Sequence, residues 1–198
     1  MSIQKDSISV SGVVEARFGW NSFPRQRSGG LIGGLLDKEV SIDCDAKAFF
    51  CKEDGTPISS RLEGCCLYYG NMNMFDGAAV HQGDNQIGGK GDDEIIMLDL
   101  NKLPAQVEQV ILTLDLLKEK KHIGTGRIQE VFVRIVDQKT GDELVGDDIS
   151  NLHSGSKIVI VGRIQRSGAG WVFVHEGIPV QTTDINDFIY NMSKCSDY

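Results

Sequence analysis

The regular structure of this chain begins with Ile8-Ser-Val-Ser-Gly-Val-Val-Glu-Ala-Arg-Phe-Gly-Trp20. Apolar or small residues fill every second position from Ile8 to Trp20. Successive side chains of a β-strand point to opposite faces, so this alternation predicts a half-buried strand or a bent pair of strands. The first element is therefore expected to turn one face toward a core.

Short strand-like segments recur along the rest of the chain. They lie at residues 39–52, 62–69, 94–100, 109–117, 128–137, 157–166 and 171–176. Turn sequences such as Lys52-Glu-Asp-Gly55 and Ser167-Gly-Ala-Gly170 separate several of them, and glycine accounts for 23 of the 198 residues. Many short strands at this spacing predict an all-β fold, specifically an antiparallel β-sandwich.

Three segments interrupt the strand pattern. Residues 21–38 contain Gly29-Gly-Leu-Ile-Gly-Gly34 and are predicted to form a flexible, glycine-rich insertion. Residues 184–192 carry apolar side chains at helical spacing and predict a short C-terminal helix. Residues 103–107 are expected to form one helical turn. Because no repeat or low-complexity linker divides the chain, the sequence predicts a single domain over residues 1–198.

The composition argues against several classes of protein. With 40% hydrophobic and 24% charged residues the chain is typical of a globular protein, and no apolar run is long enough to span a membrane. A net charge of −8 argues against a nucleic-acid partner, because phosphate backbones would be repelled. The odd number of cysteines, five, and the absence of a signal-like N-terminus lead us to expect a cytoplasmic protein with reduced thiols.

Negative charge is concentrated between residues 71 and 100, which contain six acidic residues and one lysine. This segment includes the glycine-rich loop Gly83-Asp-Asn-Gln-Ile-Gly-Gly-Lys-Gly-Asp-Asp-Glu94. Its candidate oxygen donors are Asp84, Asn85, Asp92, Asp93 and Glu94. Converging carboxylates repel one another unless a cation neutralises them, and oxygen ligands without histidine or cysteine favour calcium. The residues alone are equally consistent with a calcium site and with a solvated acidic hairpin.

Three further acidic residues are candidate oxygen donors for a calcium ion. Asp43 and Asp45 are two residues apart in a strand-like segment, so both carboxylates are predicted on one face, within about 7 Å of each other. A solvent-facing strand edge is the alternative interpretation of this pair. Asp76-Gly77 is another turn with an oxygen donor, for which a plain turn is the alternative.

Signatures of catalysis are weak. The four histidines stand apart in the sequence, and neither H-E-x-x-H nor G-x-S-x-G occurs. Cys65 or Cys66 could pair with His81 as a nucleophile and its base, and a metal-assisted hydrolase is the alternative class of function. We expect a protein without catalytic activity.

Several motifs together resemble the TerD family of tellurite-resistance and stress-response proteins. The D-G-x-x-x-H-x-G-D-N pattern of that family matches residues 76–85 at identical spacing. Its F-D-L-D-A-S-A-F strand is similar to residues 42–49, and its G-D-G-D-D-E segment is similar to residues 89–94. The resemblance runs from about Phe18 to Gly177.

This resemblance implies a β-sandwich whose acidic loops bind one or two calcium ions. It implies the metal ligands Asp43, Asp45, Asp84, Asn85, Asp92, Asp93 and Glu94, with Asp76 as a further candidate. It also implies a non-catalytic role in tellurite resistance or stress response, exercised through protein partners. Calcium-dependent binding to a membrane or a phosphate ligand is the alternative. Lys90 stands where the family has an aspartate, which predicts a reduced charge for calcium.

Overall fold

The computed structural model describes residues 7–22, 43–85, 91–116, 128–149, 158–180 and 185–191, and these ranges contain twelve strands and two short α-helices. The strands are β1 (Ser7–Val10), β2 (Val13–Ser22), β3 (Cys44–Cys51), β4 (Cys66–Leu67), β5 (Asn73–Met74), β6 (Ala79–His81), β7 (Glu94–Asp99), β8 (Gln109–Leu116), β9 (Ile128–Asp137), β10 (Glu143–Asp148), β11 (Ile158–Ser167) and β12 (Gly170–Val180). The helices are α1 (Leu62–Cys65) and α2 (Ile185–Asn191), and a 3-10 turn spans Phe75–Gly77.

The strands form two antiparallel sheets of six strands each. The first sheet has the order β1-β12-β11-β8-β3-β4, and the second has the order β10-β9-β2-β7-β6-β5. A large apolar core lies between the two sheets and draws side chains from both of them. The predicted all-β antiparallel sandwich with short helices is confirmed.

The alternating stretch at the start of the chain is a bent pair of strands. β1 pairs with β12 in the first sheet, whereas β2 lies between β9 and β7 in the second. The chain changes sheets at Gly12, whose φ of 70° is readily adopted only by glycine. Within β2, Phe18 and Trp20 are fully buried in the core, while Glu15 and Arg17 alternate onto the opposite face.

A second apolar cluster covers the outer face of the first sheet. Phe49 of β3 belongs to it, whereas its neighbours Ala48 and Phe50 point into the core between the sheets. Phe188 of α2 packs on Phe49 with ring centroids 5.1 Å apart in an edge-to-face arrangement. The predicted C-terminal helix is thus confirmed as α2, and it closes this outer cluster.

Several local predictions are wrong. Residues 62–69 are not one strand: they form α1 and then the two-residue β4, because the chain turns at Tyr68 to cross to the second sheet. The single turn predicted at residues 103–107 is present, closed by Val107 N–H donating to Pro104 C=O, but it does not extend into a helix. Residues 21 and 22 end β2 instead of starting the insertion, while residues 23–42 lie outside the described ranges. The short β5, β6 and β10 were not predicted.

Candidate metal centre

Three predicted ligands meet at one rim of the sandwich. Asp43 immediately precedes β3, Asp45 lies within it, and Asp84 follows β6 in the second sheet. One carboxylate oxygen from each of the three lies within 4.8 Å of the other two. Asp45 is buried, Asp43 is half-buried and Asp84 is exposed. The group therefore spans the two sheets and opens to solvent on the Asp84 side.

The spacing of these three oxygens fits a calcium ion. Calcium–oxygen bonds are about 2.3–2.6 Å long, so two ligands on opposite sides of the ion are about 4.6–5.2 Å apart. Oxygens that all lie within 4.8 Å of one another can therefore share one calcium ion. Three carboxylates from Asp43, Asp45 and Asp84 form a hard, all-oxygen donor set, which suits calcium better than zinc or copper.

The electrostatics of the cluster also favour a cation. Burial, reinforced by the negative charges of Glu94, Asp43 and Asp115, raises the pKa of Asp45 to about 7 against the opposing effect of Lys47. Close, poorly solvated carboxylates cannot all stay ionised without a compensating charge. A proton on Asp45 or a metal ion at the cluster can supply it.

Glu94 links the two halves of this site. Its side chain is fully buried, and its Oε2 accepts a 2.7 Å hydrogen bond from the backbone N–H of Ala46. Its Oε1 accepts a 3.3 Å hydrogen bond from the backbone N–H of Asn85. Since Ala46 follows Asp45 and Asn85 follows Asp84, one carboxylate sets the separation of these two predicted ligands.

The imidazole of His81 lies against the buried carboxylate of Glu94. His81 Nε2 lies 3.4 Å from Glu94 Oε2, and neither side chain is exposed. The Nδ1 atom of His81 accepts a 3.4 Å hydrogen bond from the backbone N–H of Gly83. Among the described residues Nε2 has no hydrogen-bond partner, so it approaches the carboxylate without bonding to it. The histidine therefore lies beside Glu94 in the core.

Asp93 and Asn85 hold the two ends of the acidic loop together. Asp93 Oδ1 accepts a 2.8 Å hydrogen bond from Asn85 Nδ2, and Asp93 Oδ2 accepts another of 2.8 Å from the backbone N–H of Trp20. The backbone N–H of Asp93 also donates to Phe18 C=O at 2.7 Å. These contacts anchor the start of β7 to β2 and leave the Asn85 amide beside Asp93.

Asp92 lies between two guanidinium groups. Arg17 Nη1 is 3.3 Å from one oxygen of Asp92, and Arg134 Nη2 is 2.5 Å from the other. The hydrogen bond from Arg134 to Asp92 raises the pKa of Arg134. Arg17 and Arg134 are cross-strand neighbours in β2 and β9. Asp92 therefore serves a charge network on the second sheet and lies outside the three-carboxylate group.

The last two positions singled out in the sequence are Asp76, which lies apart from the three-carboxylate group, and Lys90. Asp76 is exposed in the 3-10 turn before β6, whereas Asp84 follows that strand, so the two residues lie at opposite ends of β6. Asp76 has a φ of 53°, a conformation that aspartate tolerates in turns. Lys90 lies outside the described residues.

Two charged residues beside the site escaped the sequence analysis. Lys47 and Asp115 form an ion pair on the outer face of the first sheet, where each side chain is only 10% exposed. The register of β3 and β8 sets Asp45 opposite Asp115 and Lys47 opposite Thr113. The alternation of side chains along a strand was enough to predict that Lys47 shares a face with Asp45. The position of Asp115 beside them depends on the pairing of β3 with β8, which the sequence does not show.

The four cysteines that the structure describes have no features of catalytic nucleophiles. Burial raises the pKa of the Cys51 thiol to about 12 and that of Cys65 to about 11, and it raises the pKa values of Cys44 and Cys66 as well. Thiols with raised pKa values are protonated and unreactive at neutral pH. These raised pKa values therefore give no support to the predicted pairing of Cys65 or Cys66 with His81 as a nucleophile and its base.

Residues 1–190 match the family model described as the TerD domain. The chain belongs to the TerD family. Stress response protein SCP2 of Bacillus subtilis is 32% identical to it over 176 residues, covering 86% of this chain and 84% of that protein. Tellurium resistance protein TerZ of Serratia marcescens is 31% identical over 188 residues, covering 94% of this chain and 90% of that protein. These names describe resistance and stress response rather than a chemical reaction.

Solved structures show that the TerD fold extends over nearly the whole chain. A crystal structure of a homologue of telluride resistance protein (TerD) from Streptomyces coelicolor superposes with a TM-score of 0.66 and 16% identity, covering 93% of this chain and 98% of that one. A second crystal structure, of a protein of unknown function, gives a TM-score of 0.62 and 20% identity, covering 90% and 95%. Within the described residues, neither helix of this TerD-family chain has the length and apolarity to cross a membrane.

Proposed function

We propose that this protein is a calcium-binding module of a tellurite-resistance or stress-response system. In this proposal it works in the cytoplasm, has no catalytic activity and acts through protein partners. Asp43, Asp45 and Asp84 hold one calcium ion at the rim of the sandwich, and Glu94 positions the backbone that carries Asp45 and Asp84. The membership of the TerD family supports the biological role, and the carboxylate geometry supports the metal.

The observation that carries the proposal is the meeting of Asp45 and Asp84. They belong to different sheets and are 39 positions apart in the chain, yet both reach one point with Asp43. Bringing three carboxylates together is costly unless a cation compensates their charge. Calcium at this point would join the loop after β6 to the start of β3 and so order the rim of the sandwich.

The geometry fits a structural or switching ion better than a metal-assisted hydrolase. A hydrolytic centre needs an open coordination position with a general base beside it. The nearest described imidazole, His81, is buried against Glu94 with no exposed side-chain surface. It cannot reach a water molecule on the solvent side of Asp84, so a non-catalytic role is the better-supported one.

Calcium titration by isothermal calorimetry on the chelator-stripped protein tests the proposal. The Asp84→Asn variant removes one ligand charge and is expected to weaken binding at least about tenfold, since ligand charge is a main determinant of calcium affinity. Asp76→Asn is the matched control, because it removes the same charge from an exposed site at the other end of β6. Equal losses in both variants, or no binding by the wild type, would contradict the assignment.

One observation favours the second candidate, calcium-dependent binding to a membrane or another phosphate-bearing surface. Tyr69 and Met72 are 50% and 41% exposed, and they are the large apolar side chains that the described part of the chain leaves open to solvent. Their turn joins β4, which pairs with β3 at Ala48 and Phe49, to β5. Met72 immediately precedes β5, and its C=O accepts a hydrogen bond from His81 N–H. Both strand pairings place this turn on the side of the sandwich that carries Asp45 and Asp84.

Sedimentation with vesicles tests this candidate. Vesicles of mixed phosphatidylserine and phosphatidylcholine would be incubated with the protein in calcium or in chelator. Membrane docking predicts calcium-dependent sedimentation that the Tyr69→Ser/Met72→Ser variant loses while it keeps the wild-type affinity for calcium in solution. A wild-type protein that stays in the supernatant at saturating calcium would exclude this function and leave the protein-partner role in place.

A further inference from the structure

A buried lysine lies next to the carboxylate cluster formed by Asp43, Asp45 and Asp84. Lys47 lies two residues after Asp45 on the same face of β3, and the residue is only 8% exposed. Its ammonium contacts one carboxylate oxygen of Asp115. Asp115 is itself the cross-strand neighbour of Asp45. Asp45 is therefore flanked by a buried cation along its own strand and by a buried anion on the next strand.

The contact with Asp115 fixes the position of the Lys47 ammonium relative to Asp45. Residues opposite each other on paired strands have Cβ atoms about 4.5–5.5 Å apart, so Asp45 and Asp115 are close enough to compete for one ammonium. In the structure the ammonium is held by Asp115. Among the described residues, the second oxygen of Asp115 and the hydroxyl of Thr113 have no hydrogen-bond partner. The ion pair thus supplies the principal described polar contact of Asp115.

A buried charge so close to Asp45 must influence any cation bound there. Charge–charge energies in a poorly solvated setting are several times those in water. The ammonium of Lys47 repels a divalent ion at the cluster, and it also compensates part of the cluster's negative charge when no ion is bound. Asp115 opposes both effects because it draws the ammonium away and adds a negative charge of its own.

We propose that Lys47 and Asp115 set the affinity of the carboxylate cluster for its metal, with Lys47 as an internal competitor of calcium and Asp115 as the group that restrains it. This inference rests on the proposed calcium site and names two residues outside its ligand set. It makes the two residues act in opposite directions. Loss of the lysine charge strengthens calcium binding, whereas loss of the aspartate charge weakens it, although both changes break the same ion pair.

Calcium titrations of the Lys47→Met and Asp115→Asn variants test the proposal. Relative to the wild type, Lys47→Met is expected to lower the dissociation constant by roughly fivefold or more, and Asp115→Asn is expected to raise it by a similar factor. Lys102→Met is the matched control: Lys102 pairs with Asp99 at 2.8 Å, but its side chain is 73% exposed. Its dissociation constant should stay within about twofold of the wild-type value, because exposed pairs are well screened.

The direction of each change separates this role from a purely structural one. If the ion pair only stabilises the fold, both variants lower the melting temperature of the calcium-free protein and shift the dissociation constant the same way or not at all, and the proposal is wrong. Lys47→Met leaves Asp115 buried and uncompensated, so it is the variant at risk of misfolding. Asp115→Asn keeps a hydrogen-bond acceptor for Lys47, and an unchanged affinity in this variant alone overturns the proposal.

These titrations also distinguish the inference from the function on which it rests. A wild-type protein that binds calcium with an affinity unaffected by either variant would keep the calcium site and refute the role of the pair. A wild-type protein that does not bind calcium, together with a Lys47→Met variant that does, would refute the proposed function and support the internal competitor. Absence of binding in all three proteins would refute both.

Discussion

At the residue scale, one buried carboxylate organises the candidate site without being exposed to solvent. Both oxygens of Glu94 are occupied by backbone N–H groups, from Ala46 in the first sheet and from Asn85 in the loop after β6. β4 pairs with β3 only at Ala48 and Phe49, so the N–H of Ala46 lies beyond its reach. Glu94 thus satisfies a backbone donor at an open strand edge while it links the two sheets.

The Glu94→Gln variant distinguishes a linking role from a metal-binding one. An amide offers one acceptor oxygen where the carboxylate offers two, so one of the two N–H donors loses its partner. We expect the free energy of unfolding of the calcium-free protein to fall by about 1–3 kcal/mol. Urea denaturation in chelator measures it. An unchanged or higher stability would show that Glu94 mainly contributes repulsive charge, as expected of a vacant metal ligand.

Asp45 is expected to make both stability and calcium binding depend on pH. Its pKa is about 7 in the folded protein and lies near the ordinary 3.8 when unfolded. Between these values the folded state binds more protons than the unfolded state, so the calcium-free protein loses stability as the pH rises from about 4 to about 7. Calcium must displace the proton, so its apparent affinity rises over the upper part of that range.

Calorimetric titration between about pH 6 and pH 8 checks this coupling. We expect the dissociation constant to increase up to about tenfold for each pH unit below the pKa of Asp45, since one proton is released per ion bound. The Asp45→Asn variant should bind more weakly and with a flat pH profile. A wild-type dissociation constant that does not change over this range would contradict the raised pKa.

At the scale of the elements, the short strands β4 and β5 connect the two sheets, and the short helix α2 covers an apolar surface. β4 and β5 are two residues each, and the turn between them carries the chain from one sheet to the other beside the candidate site. α2 covers part of the outer face of the first sheet, where Phe188 and Ile189 close the outer apolar cluster. Without this helix, the outer face of Phe49 would be open to water.

The Phe188→Ala variant tests the contribution of α2. Phe188 is fully buried, and truncating a buried phenylalanine costs about 3–5 kcal/mol through lost burial and the cavity left behind. We expect a loss of that size in the free energy of unfolding, measured by denaturant titration. Tyr69→Ala, at a half-exposed position, should change it by only about 0.5 kcal/mol. A loss below about 1 kcal/mol for Phe188→Ala would mean that α2 is dispensable for stability.

At the scale of the whole molecule, the candidate metal site draws its carboxylates from both layers of the sandwich. Asp43 and Asp45 come from the first sheet, and Asp84 follows a strand of the second. This rim is therefore the place where a bound ion would stabilise the native packing of the layers. An ion that binds only the folded state raises the free energy of unfolding by an amount that grows with the logarithm of its concentration once that exceeds the dissociation constant.

Thermal melting with and without calcium measures this linkage. At a hundredfold excess over the dissociation constant, calcium should stabilise the protein by about 2.7 kcal/mol, which corresponds to a rise of roughly 5–10 °C in Tm for a chain of this size. Magnesium at the same concentration should give a smaller rise, because it demands shorter bonds and releases its water reluctantly. Melts that superimpose in calcium and in chelator would contradict the metal site.

Local patterns were enough to predict the fold class and the placement of two acidic residues of the candidate site. The alternation from Ile8 to Trp20 predicted the bent strand pair, because burial on one face of a strand leaves a period of two in the sequence. The same period placed Asp43 and Asp45 on one face, and helical spacing predicted α2. These features depend on neighbours in the chain, so a linear sequence records them directly.

Tertiary structure alone decided which acidic residues meet. Asp84, Asp92 and Glu94 share one loop sequence, yet the first joins the three-carboxylate group, the second pairs with arginines and the third is buried under backbone donors. Pairing Lys47 with Asp115 likewise required the register of β3 with β8. Such contacts follow from how distant strands align and pack, because the partner of a charge is chosen by position in space and not by spacing along the chain.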